Sequence, residues 1–164
     1  MAVNAYLIID GIPGPSTSRE KAIDILSFSW GASQTATYGV GASGKEAKAG
    51  RADLANITIM KVLDKTSPFL FEHCVNGKVI PKVQVFYDKT VNGKQEDYFR
   101  ITLDDALITS VQLSGSSENP VESISFAYQA IEVAYKAEEE EGTLGAWVPK
   151  GFDVAKLEAW AAPA

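Results

Sequence analysis

The sequence predicts a mainly β protein, an antiparallel β-barrel or sandwich with one short α-helix. Three observations carry that expectation. Segment after segment alternates apolar and polar residues with a period of two. The connections between these segments are of hairpin length, Asn92-Gly93 being a strong turn signal. Only one stretch, SPFLFEHCVNGK from Ser67 to Lys78, carries the punctuation of a helix.

The elements follow in order. Val3, Ala5, Leu7 and Ile9 alternate with Asn4, Tyr6 and Ile8, and the turn-rich DGIPGPSTS ends that first strand. Residues 22–34 are expected to form the next strand, with Ile23 and Ile25 on one parity and Leu26, Phe28 and Trp30 on the other. A parity switch of that kind predicts a bulge. ANITIMKVL is a third strand. In the helix, Ser67 is placed to cap, Pro68 suits the first helical position, and Asn76-Gly77 closes the end. KVQVFYD and EDYFRITL pair across Asn92-Gly93, with Val83, Val85 and Tyr87 on one face and Phe99, Ile101 and Leu103 alternating opposite. Asp104-Asp105 is expected to make a short corner, after which Leu107, Thr109, Val111 and Leu113 alternate again. SISFAYQAIEVAYK closes the pattern as a long strand whose parity changes at Gln129-Ala130. A fold built this way must close its sheet or pair its open edges.

Bulk properties exclude several functions. The 164 residues fit one domain with a real core, and 46% hydrophobic with 22% charged is the composition of a globular protein. A formal net charge of -6 opposes nucleic-acid binding, which needs clustered Lys and Arg, and opposes an anionic membrane surface. No apolar run approaches the length of a membrane span, so no membrane insertion is expected. Cys74 is the only cysteine, which excludes an intrachain disulfide and cysteine-based zinc sites. The start, MAVNAYLIIDGIPG, lacks a basic n-region and a long enough apolar run for a signal peptide. The expectation is folding in the cytoplasm and, if the protein is exported, a route without a cleaved signal.

GVGASGKE, Gly39 to Glu46, approximates a phosphate-binding loop, G-x-x-x-x-G-K-[ST], but ends in Glu46. Glu46 would set a negative charge beside phosphate, no Ser or Thr is present for Mg²⁺, and no strand–helix alternation surrounds it. A nucleotide site is therefore rejected. Two readings remain: a plain hairpin loop, or an assembly loop. Tyr38 to Arg51 spans about fourteen residues, more than a hairpin needs, and carries Lys45, Lys48 and Arg51 on an acidic protein. Tyr38, Gly39, Gly41, Gly44, Lys45, Lys48 and Arg51 are the candidate subunit or ring interface.

Other chemistry is poorly supplied. His73 and Cys74 are neighbours on the expected helix and point apart, which makes a poor nucleophile–base pair. Asp104-Asp105 suits turn shaping better than catalysis. Glu138 to Glu141 reads as a solvated strand end, or as a docking partner for the basic loop of another copy. Trp30 is expected in the core; Trp147 and Trp160 are expected to pin the segment after residue 138 to the body or to a neighbour. No catalytic residue, metal or cofactor is expected. A monomeric β-sandwich binding a ligand such as a glycan is the alternative that the three tryptophans raise.

Several separated stretches resemble the haemolysin-coregulated protein (Hcp) family, the tube subunit of bacterial type VI secretion. Asp10, Gly11, Ile12, Gly14 and Ser16 fit a D-G-I-x-G-x-S opening, and Ile23, Ile25, Ser27, Phe28, Ser29, Trp30 and Gly31 fit the I-x-[VI]-x-S-[FW]-S-W-G that follows. Lys61, Asp64, Thr66, Ser67, Pro68 and Leu70 fit K-x-x-D-x-[ST]-S-P-x-L, which leads into the family's single helix. YFRITLDDALITSVQLSG and PVESISFAYQAIEVAYKAE resemble the family's penultimate hairpin and closing strand. The resemblance covers residues 3–138, so a barrel domain is assigned to 1–138 and an extended or partly ordered tail to 139–164. It implies a compact antiparallel β-barrel of two sheets with one short flanking α-helix. It also implies homohexameric rings stacked into a tube, a contractile sheath and a spike protein as partners, and effector cargo in the pore. The long loop between the second and third strands would then lie against an adjacent subunit or ring.

Overall fold

The computed structural model describes residues 4–38, 47–116 and 118–163. The strands are β1 (Asn4–Ile9), β2 (Ile23–Asp24), β3 (Ser27–Ser29), β4 (Ala32–Tyr38), β5 (Ala47–Leu54), β6 (Ile57–Val62), β7 (Val79–Val91), β8 (Lys94–Ser114), β9 (Val121–Ala127), β10 (Ala130–Glu138), β11 (Leu144–Asp153) and β12 (Glu158–Ala159). Helix α1 (Ser67–Asn76) lies between β6 and β7. The fold is mainly β and its ladders are antiparallel, as the alternation predicts.

The larger sheet has two limbs. One runs β12-β11-β10-β8-β7-β1-β2. The other leaves from β8 and runs through β9 and β6 to β3. Residues 23–29 join the limbs: Leu7 faces Ile23, Phe28 faces Ile59, and between them the Ile25 N–H donates to Ala5 O (3.2 Å) and the Leu26 N–H to Met60 O (2.7 Å). This explains the parity switch in 22–34. The segment is not one bulged strand, as expected, but two short strands that serve different neighbours, followed by β4. Leu7, Val83, Val85, Ile101 and Leu103 from one limb meet Ile57, Ile59, Ile124 and Phe126 from the other, all essentially removed from solvent. Burial on that scale is the main driving force for the fold.

β8 is one continuous strand across Asp104-Asp105, where a corner between two strands is expected. Asp104 still pairs with Ala130 of β10, whereas Leu107 already pairs with Ala127 of β9. Asp105 takes a positive φ (46°), an uncommon conformation that Asp tolerates better than most, and so turns the strand from one limb into the other. The buried parity shifts with it, from Ile101 and Leu103 to Ala106 and Ile108. A register shift between Ile108 and Ser110 then returns the inward side to the expected parity at Val111, which packs on the core, while Leu113 lies exposed. The parity change at Gln129-Ala130 is a corner that separates β9 from β10.

Pro68 stands in the first turn of α1 and the helix ends at Gly77, as expected. Ser67 does not cap it. Thr66 is the N-cap residue, and the Ser67 hydroxyl is drawn away to donate to Glu122 Oε1 (2.7 Å) while accepting from the Asp64 N–H (3.1 Å). Residues after Glu138 extend the first limb: β11 pairs along β10, and β12 pairs with β11. The Trp160 N–H donates to Gly151 O (3.0 Å), and the Ala162 N–H donates to Glu132 Oε2 (2.6 Å).

Candidate assembly surface

β4 and β5 form their own two-stranded sheet, an arm that pairs with no other strand among the described residues. Ala32 faces Leu54 at its root, and Tyr38 faces Ala47 at its far end, with a register shift between Gln34 and Ala36. Part of what is expected as a loop from Tyr38 to Arg51 is thus strand: Tyr38 ends β4 and residues 47–51 belong to β5. Residues 31–37 are exposed. Ala, Ser, Thr and Gln dominate β4, which carries no apolar alternation, and the arm touches the core at its root through Leu54. The Gln34 side chain donates to Gly50 O (3.1 Å), which ties the two strands near the root. Of the candidate interface residues, Arg51 is exposed on β5, Lys48 pairs with Thr37 through the backbone, and Tyr38 ends β4. Gly39, Gly41, Gly44 and Lys45 lie outside the described residues.

The root of the arm is fixed by polar contacts. The Trp30 indole N–H donates to the Tyr128 hydroxyl (2.7 Å), which in turn donates to Ala55 O (2.7 Å), and the Ala55 N–H donates to Gly31 O (2.9 Å). Burial pushes the Tyr128 hydroxyl pKa up and so keeps it a donor. Trp30 is half-buried rather than fully in the core, because its polar edge must reach that hydroxyl. Beside the root runs a groove of about 370 Å³, lined by Trp30, Leu54, Val133, Lys150 and Phe152. It exists because the face of β10–β11 that continues the core extends past it: Tyr135 and Val148 are direct partners on that face, and both are exposed.

The residues weighed for chemistry stand apart from one another. A His73 ring nitrogen sits 2.8 Å from Phe69 O, while Cys74 packs against the core. Burial, then Asp105 and Asp153, push the Asp104 carboxyl upward. Among the described residues, no group of three or more His, Cys, Asp or Glu side chains is arranged to hold a metal. Trp147 lies under two cations, Arg100 (4.5 Å to the ring centre) and Lys136 (4.8 Å), and so holds β11 to β8 and β10.

Two clusters escape a reading from sequence. Lys61 and Glu122 are fully buried partners facing each other across β6 and β9, and Lys61 Nζ contacts the Glu122 carboxylate. The same ammonium reaches Asp64 Oδ1 (3.2 Å), which accepts from the Thr66 N–H (2.8 Å) and from the Thr66 hydroxyl. Their signal is visible in retrospect: Lys61 shares parity with Ile57 and Ile59, and Glu122 with Ile124 and Phe126. The second cluster is a clamp on the 10–22 loop. Arg19 makes a two-pronged ion pair with Asp97 (2.6 and 3.0 Å) and lies over the Phe86 ring (4.1 Å).

Two β limbs packed on a shared core, with a flanking helix and a self-paired arm, place the chain in the class of mainly β proteins. The chain belongs to the family described as type VI secretion system effector, Hcp, whose model matches residues 6–135. It is 30% identical over 146 residues to Protein hcp1 of Pseudomonas aeruginosa, covering 87% of this chain and 88% of that one. Among solved structures, a type six secretion system protein matches with a TM-score of 0.86 and 25% identity, over 97% of this chain and all (100%) of that one. Hcp1 from Salmonella typhimurium matches with a TM-score of 0.78 and 25% identity, over 98% and 100%. The motif from Lys61 to Leu70 that carries the resemblance is the one wired to Glu122 at the start of α1.

Proposed function

We propose that this chain is the tube subunit of a type VI secretion system. Six copies form a ring, and rings stack into a tube that a contractile sheath drives outward beneath a spike protein. Effector cargo travels in the pore. The protein folds in the bacterial cytoplasm and leaves through the tube's own machinery. It works as a structural part, with no turnover.

One observation carries this reading beyond family membership: the arm. β4 and β5 form a ribbon whose residues 32–37 are exposed and which pairs with no other strand among the described residues, and its length makes sense if another copy receives it. Tyr38, Gly39, Gly41, Gly44, Lys45, Lys48 and Arg51 are proposed to contact the adjacent subunit or ring, their positive charge set against a chain of net charge -6. Light scattering on the purified protein tests the reading: a mass near six subunits and annular particles in the electron microscope are expected. A monomer at every concentration, with saturable glycan binding, overturns it.

A further inference from the structure

Two of the apolar surfaces left open among the described residues differ in shape. One is the concave groove beside the arm, where Trp30, Leu54, Val133 and Phe152 surround Lys150. The other is convex, the outward face of α1. Phe69, Phe71 and Val75 are 54%, 56% and 62% exposed on that helix. Leu70, on the opposite side, is fully buried, so the exposure is a property of the face and not of a loose helix. Phe71 and Val75 stand one turn apart, and Glu72 lies between them and Phe69. Glu72 is the only acidic residue of α1, which has no lysine or arginine. Lys150 is the cation of the groove.

We infer that the α1 face of one copy docks into the arm-root groove of the next, with Phe71 as the inserted side chain and Glu72 meeting Lys150. The inference rests on the ring reading and names the surfaces that would build it. Two dissimilar patches on one chain allow a head-to-tail contact, which closes into a ring when the rotation fits. The chemistry matches at both levels. Aromatic and branched side chains meet an apolar groove, and one acid meets one base at the edge of it. The groove alone, without a convex partner bearing the opposite charge, would not select an occupant; the helix face of a second copy supplies both.

The test uses the full chain and four variants: Phe71→Glu, Glu72→Lys, Lys150→Glu, and the exchange Glu72→Lys with Lys150→Glu. All three positions are exposed, so the fold of each subunit survives, and circular dichroism checks that. Ring mass is followed by light scattering through a dilution series. Phe71→Glu is expected to raise the dissociation concentration about tenfold or more, and each charge reversal to raise it severalfold. The exchange variant is expected to recover the wild-type value. In a second measurement, Phe71→Cys chains and Lys150→Cys chains, each with Cys74→Ser, are treated with a short bis-maleimide. Cross-linked dimers are expected in the mixture and in neither sample alone. Wild-type rings that ignore Phe71→Glu and both reversals overturn the inference and leave the ring reading standing, as does a cross-link formed by either variant alone. A wild-type chain that never forms a ring overturns the ring reading itself.

Discussion

Lys61 and Glu122 face each other across β6 and β9 with both side chains fully buried, and Ser67 at the start of α1 hydrogen-bonds to the same carboxylate. Taking two charges out of water is costly, and removing one partner strands the other. Lys61→Met or Glu122→Gln alone is expected to lose about 3–5 kcal/mol of stability. Lys61→Met with Glu122→Gln keeps an acceptor for Ser67 and removes both charges, so it is expected to lose much less than the sum. Urea unfolding of the four proteins gives the coupling directly. Simple additivity would mean that the pair is not a unit.

Asp88 pairs with Asp97 across β7 and β8, and Arg19 is committed to Asp97. Asp88 Oδ1 is buried without a hydrogen-bond partner. Burial, partly countered by hydrogen bonds from Asn4 and by the charge of Arg19, and reinforced by Asp97, holds its carboxyl above the ordinary carboxylate range. The folded state therefore holds the proton more tightly than the unfolded chain does. This group's contribution to stability falls as pH rises from the ordinary carboxylate range through the raised value. Asp88→Asn is expected to melt higher than wild type at pH 7, with the difference closing as pH falls into the carboxylate range. Melting midpoints of both proteins against pH decide it. A pH-independent difference would remove Asp88 as the cause.

Gly14 packs so closely on the Ala22 carbonyl and Ile23 that a methyl group there would overlap both. Ala22 and Ile23 are fully buried, and the Gly14 N–H donates to Lys21 O (3.0 Å), so the loop has no room to yield. Gly14→Ala is expected to cost about 1–3 kcal/mol. Gly115→Ala, where an added methyl meets nothing, is the control and should stay within about 0.5 kcal/mol. Equal unfolding midpoints for the two variants would contradict the packing argument.

Local features of this fold were readable in the chain; partnerships across it were not. Pro68, Gly77 and Asn92-Gly93 act within a few residues, and each stands where its own chemistry places it. Residues 22–34 misled because two parities within one stretch fit a bulge as well as they fit two short strands serving two limbs. β8 misled for the same reason at Asp105. β4 offered no alternation to read, since residues 32–37 are all exposed and solvent selects none. For Glu122, the acid on a buried parity was in plain view, but its partners lie 61 and 55 residues away in sequence. The groove beside Trp30 needs β4, β5, β10 and β11 together, which no single segment announces.

The arm itself gives the last prediction. Its ladder stands apart from the larger sheet and reaches the body near the root, through residues such as Leu54. Replacing residues 36–49 with Asn-Gly, which joins Thr35 to Gly50 through a hairpin turn, is therefore expected to leave subunit stability within about 0.5 kcal/mol. Rings should still form, because the groove and the α1 face are untouched, while stacking into tubes should weaken sharply. In the intact protein, stacking should also weaken as salt rises, since Lys45, Lys48 and Arg51 would approach an acidic body through solvent over distances that ions screen. Tube length in the electron microscope, across a sodium chloride series and for both proteins, measures both effects. Tubes of unchanged length from the shortened arm would take stacking away from it. Tubes that shorten with the arm but ignore salt would replace charge with apolar contact as the force between rings.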